Sequence, residues 1–183
     1  YPVLHGQVVD GAGATMQVED LDSIIEEFQV AHSTALHARR VGRGPYLVGP
    51  LARYHHNRDG LSPLAREAAH AAGLDHSCRN PFDSIVVRAV EMVHACDDAI
   101  RSIEDYEEPA APAVPVEPRA GVGFGATEAP RGLLYHRYEL AEDGTVVDAT
   151  IVPPTSQNQP TIERDLWRIA QEHVDAPDDE LRD

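Results

Sequence analysis

The sequence predicts an α+β fold, and three observations carry that prediction. The stretch from Pro81 to about Glu107 has one continuous apolar stripe and reads as a single long helix. The segments at about 3–18 and 133–152 alternate around turn signals and read as two β-hairpins. Shorter helical patterns occupy about 20–28, 63–72 and 161–173. At 183 residues the chain is long enough for one sizeable core, burying roughly 70% of its unfolded surface.

In the first hairpin, Val3 to Val9 leads into a turn at Asp10-Gly11-Ala12-Gly13, and Ala14 to Val18 returns. Glu19 and Asp20 then open a helix with Leu21, Ile24, Ile25 and Phe28 on one face. Residues 32–58 are rich in His, Arg and Gly, and Pro45 to Gly49 inside them reads as a short strand. Ser62-Pro63 starts a helix that Gly73 ends, as cap, first-turn proline and C-terminal glycine usually do.

For the long helix, Asn80 suits the cap, Pro81 the first helical position and Asp83 the positive end. Phe82, Ile85, Ala89, Val93, Cys96, Ile100 and Ile103 form its stripe, which predicts burial of Cys96. His94 falls at the border of that stripe. Such a helix is roughly 40 Å long and usually belongs to a bundle. Pro109, Pro112, Pro115 and Pro118 recur every third residue, so 108–118 reads as a stiff connector. The second hairpin turns at Ala141-Glu142-Asp143-Gly144-Thr145. An acidic end follows at Asp175–Asp183.

Composition excludes several functions. The net charge of −16 opposes general binding to nucleic acid or anionic membranes. All 15 basic residues are Arg, so no lysine serves Schiff-base or P-loop chemistry. Cys78 and Cys96 form no CxxC, which predicts a reduced, cytoplasmic setting. No apolar run is long enough for a transmembrane helix.

The candidate sites reduce to a few residues. Gly121-Val122-Gly123-Phe124-Gly125 is not GxGxxG and precedes a strand, so it reads as glycine-permitted tight packing. His32, His37, His55 and His56 lack metal-motif spacing and read as surface or hydrogen-bonding groups. The carboxylates Asp97, Asp98, Glu104, Asp105, Glu107 and Glu108 read as a solvated helix face. Two irregular, proline-bearing segments stand out: Glu128 to Gly132, and Ile151 to Gln159. They flank the second hairpin, so one fold of the chain brings them together. Arg131 offers a permanent cation with five donors toward whatever lies between, although a structural salt bridge would explain it on local sequence alone.

These two segments resemble the large subunit of nickel–iron hydrogenases, especially the soluble multi-subunit types. The most specific text is Thr127 to Gly132 and Val152 to Gln159. His32 to His37, Gly49 to Tyr54, Leu61 to Ala65, Cys78 to Phe82 and Ser84 to Glu91 are similar to the family as well. The resemblance implies one partial domain over 1–183, part of an α-rich large-subunit fold. It implies a catalytic subunit that reversibly splits H2, with a nickel–iron centre carrying carbon monoxide and cyanide on iron. Arg131 would hang over the metals, and Pro130 would line the diatomic pocket. Pro153 and Pro154 would face its other side, beside Thr155; some relatives carry a serine where Pro154 stands. The backbone carbonyl of Thr150 matches one that ligates a structural magnesium or iron in some members. The implied partners are a NAD(P)-linked electron-transfer module and an iron–sulfur small subunit. The family holds its metals by thiolates from two CxxC motifs, and neither is present here. The sequence is therefore expected to be a fragment that is inactive alone. A non-catalytic or quinone-binding relative, such as the homologous respiratory complex I subunit, is the alternative, because it also carries Ala-Pro-Arg-Gly.

Overall fold

The computed structural model describes residues 3–4, 6–74 and 78–175. The predicted acidic end, beyond Asp175, lies outside the described residues.

The chain opens with three short antiparallel strands, β1 (Val3–Leu4), β2 (Gln7–Val9) and β3 (Thr15–Met16), not with one hairpin. Asp10 fastens the β2–β3 turn: its Oδ1 accepts from the amides of Ala12 and Ala14 at 2.9 and 3.0 Å. The expected helix at 20–28 is a correction. Only Leu21–Ile24 (α1) is helical, and Ile25–Val30 forms β4, paired antiparallel with β5 (Ser33–Arg40). The apolar spacing there fits either structure over so short a run. Pairing decides it, because Glu26 sits opposite Arg39 and Phe28 opposite His37. Pro45–Gly49, expected as a strand, is irregular.

The helices come next. α2 spans Pro50–Asn57 and α3 spans Pro63–Ala71. Ser62 Oγ accepts from the Ala65 amide at 3.3 Å, and Gly73 beyond the end takes φ 71°. α4 (Ser84–Glu104) follows a 3-10 turn at Pro81–Asp83, with the Asn80 side chain accepting from the Phe82 amide at 3.2 Å. Its buried positions are Val87 and Val90, and of the predicted stripe only Val93 packs against the core, half-buried. Phe82, Ile85, Ile100 and Ile103 are exposed, and Cys96 is exposed rather than buried. His94 is half-buried, and its Nδ1 accepts from the Ser62 amide at 3.2 Å. Residues 106–120 are irregular and exposed.

A third sheet follows in the order β6–β7–β8: Gly121–Ala129, Gly132–Leu140 and Val146–Val152. The glycines expected to mark tight packing lie in β6, and nothing stands within 4 Å of a Cβ built at Gly121, Gly123 or Gly125. The last helix, α5, runs Pro154–Glu172 and so begins well before the expected 161.

Two apolar clusters hold the fold together. Val8, Leu21, Ala38, Val48, Leu133, Tyr135 and Val152 join the sheets. Leu51, Tyr54, Ala65, Ala69, Cys78, Val87 and Val90 join the helices. The segment 45–51 feeds Val48 into one cluster and Leu51 into the other, so it forms the seam between them.

Candidate functional site

The seam carries the site. Ala129 pairs with Gly132 across β6 and β7, which leaves Pro130 and Arg131 as a two-residue turn. The stretch expected to be irregular is thus the tip of a hairpin. Gly132 takes φ 135°, and a Cβ there would lie 2.4 Å from Val48 Cγ2 and 2.7 Å from the Gly49 nitrogen. Gly49 takes φ 102°, and its Cβ would lie 2.4 Å from the Arg131 carbonyl oxygen. Both positions require glycine on two counts, conformation and space. Backbone therefore packs on backbone where Gly49-Pro50 meets Arg131-Gly132.

Three side chains lock this contact. Asn158 on α5 accepts from the Val48 amide at 2.8 Å and donates to the Arg131 carbonyl at 3.1 Å. Buried Gln157 donates to the carbonyls of Leu133 (2.6 Å) and Val152 (3.2 Å), and accepts from the Tyr46 hydroxyl at 3.1 Å. Arg53 on α2 donates to both oxygens of Glu91 (2.6 and 2.8 Å) and to Glu128 (2.8 Å). It donates further to the carbonyls of Ala129 (3.0 Å) and Pro130 (3.1 Å). Burial works against its charge, but the hydrogen bonds to Glu91 and Glu128 prevail and hold its pKa above the ordinary arginine value.

The Arg131 side chain differs. It is exposed, and among the described residues it makes no ion pair or hydrogen bond through its guanidinium. The structural salt bridge that local sequence suggested is therefore not formed among those residues. Arg131 lines a cavity of about 690 Å³ with Pro130, Thr155, Asn158, Arg88 and Phe82. The N-terminal turn of α5 opens beside it, since Thr155 follows the first helical residue. Two guanidiniums and a positive helix end outweigh the one carboxylate there, Asp165, so the end of the cavity beside Arg131 favours an anionic or electron-rich group.

Of the residues expected at the site, Pro130, Arg131 and Thr155 line the cavity. Pro153 is exposed just before α5, and Pro154 is buried at its start; neither lines the cavity. Thr150 lies half-buried on edge strand β8, opposite Arg137. Arg88, Asn158 and Asp165 also line the cavity and were not expected to. Their signal is only their place within the family-like text or the last helix.

The residues present do not supply a ligand set for nickel and iron. Cys78 is buried in the helical cluster, Cys96 is exposed on α4, and neither lines this cavity. What the chain presents there is the donors of Arg88, Arg131 and Asn158, one carboxylate at Asp165, and apolar proline.

No family model matches the chain. Individual proteins do. It is 32% identical to the alpha chain of sulfhydrogenase 1 from Pyrococcus furiosus, over 98% of this chain and 42% of that one. It is 33% identical to a vhu subunit of the F420-non-reducing hydrogenase of Methanocaldococcus jannaschii, over 84% of this chain and 38% of that one. It is 29% identical to the beta chain of the NAD-reducing hydrogenase HoxS from Cupriavidus necator, over 74% of this chain and 30% of that one. The chain thus spans less than half the length of these relatives. Its fold is similar to that of an NAD+-reducing nickel–iron hydrogenase in the H2-reduced state, with TM-score 0.66 and 22% identity over 86% of this chain and 38% of that one. The chain belongs to the family of nickel–iron hydrogenase large subunits and corresponds to part of their length.

Proposed function

We propose that this chain is part of the catalytic subunit of a nickel–iron hydrogenase, an oxidoreductase that splits H2 into protons and electrons. The observation that carries the reading is the Pro130–Arg131 turn. Its backbone is fixed by Gly49, Asn158 and Arg53, while its guanidinium is left unpaired among the described residues, at the edge of a cavity.

A nickel–iron centre, when bound, supplies the site of H2 cleavage, and its thiolate ligands would have to come from residues other than these 183. This chain's own residues form the wall beside it. Arg131 cannot lose its proton at working pH, so it would offer donors to an anionic group held beside it, such as a cyanide ligand. It would also stabilise charge developing nearby in the reaction. Pro130 would present an apolar, rigid surface to such a centre. Because Pro154 is buried at the start of α5, Thr155 and Asn158 are the residues of that segment that meet the cavity. A structural magnesium or iron at the Thr150 carbonyl belongs to the same proposal.

An iron–sulfur small subunit would exchange electrons with this one. A NAD(P)-linked module is supported by the likeness to the NAD-reducing enzyme of Cupriavidus necator. No helix among the described residues is long and apolar enough to cross a membrane. The quinone-binding alternative is not favoured, since the reported relatives are hydrogenase subunits.

The test is Arg131→Lys in the full-length enzyme. H2 oxidation should fall by about 100-fold or more, the scale for removing one preorganised donor at a charge-developing site. Nickel and iron content should stay at the parent level. Unchanged turnover would remove Arg131 from the reaction.

A further inference from the structure

Away from the cavity, three potential metal ligands converge. His32 lies in the turn between β4 and β5, His37 on β5, and Glu163 on α5. Their ligand atoms all lie within 4.8 Å of one another. His32 Nε2 is 3.0 Å from Glu163 Oε1, and His37 Nε2 is 3.3 Å from the same oxygen. The bland account is a surface histidine–carboxylate pair with a second histidine nearby, and it leaves one observation unexplained. His37 is 2% exposed, and among the described residues its Nε2 makes no aligned hydrogen bond, although it faces that oxygen. A buried ring nitrogen left unmatched is costly and needs a partner.

We propose that His32, His37 and Glu163 form a site for a zinc-class divalent cation. With metal–ligand bonds of about 2.0–2.2 Å, a tetrahedral centre places its ligand atoms about 3.3–3.6 Å apart. The two contacts to Glu163 fall within a few tenths of an ångström of that spacing. The remaining edge, between the two histidines, closes by motion of the His32 ring, whose side chain is 65% exposed. His37 is the fixed member, held edge-on against Phe28 at 5.9 Å between ring centroids. Two imidazoles and one carboxylate suit zinc rather than calcium or magnesium, which prefer all-oxygen shells. Three protein ligands leave a fourth position for water.

The cation would tie the β4–β5 hairpin to α5. That helix carries Asn158 and Thr155 to the Arg131 cavity, so the site would brace the cavity from behind. Ser156 already joins the same partners, donating from Oγ to Glu27 at 2.8 Å. The zinc site stands independently of the nickel–iron reading, because zinc is counted separately from nickel and iron.

The test uses the full-length subunit in its native assembly, stripped with a chelator, exposed to zinc and desalted. Elemental analysis should find one zinc per subunit more in the parent than in His32→Ala or Glu163→Gln, with nickel and iron equal in all three. Both substitutions avoid the buried His37, and circular dichroism checks the fold. Zinc-edge X-ray absorption on the parent should show nitrogen and oxygen neighbours. Zinc should raise the melting temperature of the parent and leave both variants unmoved. Equal zinc counts in parent and variants, no zinc retained by the parent, or an all-sulfur shell would each overturn the site.

Discussion

Arg53 shows how much one residue can position. Its side chain is 17% exposed, yet it meets two carboxylates and two carbonyls, and it joins α2, α4 and the Pro130–Arg131 turn. Arg53→Ala would leave Glu91 and Glu128 short of their shared cation, at a cost of about 2–4 kcal/mol by denaturant melt. Arg53→Lys should recover part of that and no more, since an ammonium cannot reproduce the planar fork. A loss under about 1 kcal/mol in the alanine variant would mean that the network is slack. Tyr135 is the opposite case: 1% exposed, with no partner for its hydroxyl among the described residues. Burial first, then the nearby Asp22 charge, pushes its pKa up to about 12. A phenol whose folded pKa exceeds its unfolded value of roughly 10 contributes stability below pH ~10 that is lost as pH rises toward 12. Tyr135→Phe should therefore match or slightly exceed the parent at neutral pH. Its advantage should widen between roughly pH 10 and 12, read as melting temperature against pH. A constant difference across that range would contradict the assignment.

At the scale of elements, the glycines at the seam make the sharpest forecast. Gly49→Ala drives a methyl into the Arg131 carbonyl at a positive-φ position. It should destabilise by about 2–4 kcal/mol, and it should displace the Pro130–Arg131 turn because the clash is with backbone that cannot rotate away. An alanine variant with parental melting temperature would show that the two backbones separate easily. This contact explains why the site was only partly legible in the sequence. Pro130, Arg131 and Thr155 could be read from local text, whereas Gly49, Arg53 and Asn158 act through bonds to segments far along the chain. Glu163 stands 131 positions from His32, so no spacing rule could join them. Elements with their own punctuation were legible: Ser62-Pro63 with Gly73 bounds α3, and the Asp-Gly turn bounds β7 and β8. Elements decided by pairing were not. Ile24, Ile25 and Phe28 suit a helix face as well as a strand, and the His- and Arg-bearing partner strand at 33–40 supplied the deciding bonds. α5 starts at Pro154 because proline tolerates a first helical position, where its missing amide costs nothing.

Across the whole molecule, the largest unsatisfied feature is apolar. The stripe that periodicity assigns to the core of a bundle points outward along most of α4 and the turn before it, with Phe82 67%, Ile85 65% and Ile103 75% exposed. Leu166 and Trp167 on α5 are exposed as well. The periodicity marks a face built for burial; what it could not tell is that this chain's own helices cover the other face. Covering each such side chain is worth about 1.5–3 kcal/mol, so a stripe of this size seeks a partner. The relatives from Pyrococcus furiosus and Methanocaldococcus jannaschii are more than twice as long, and added mass of that kind would cover such a stripe. Two outcomes follow from that one cause. The 183-residue chain alone should self-associate as its concentration rises, and Ile85→Glu with Ile103→Glu should suppress this while leaving its melting temperature within about 1 kcal/mol equivalent of the parent. In the full-length subunit the same pair should be strongly destabilising, because each carboxylate would then be buried without a partner. Sedimentation analysis reads the first and thermal melting the second. If the isolated chain stays monomeric at high concentration and the full-length subunit tolerates both glutamates, then the stripe is solvent-facing in the assembled protein and α4 is an outer helix.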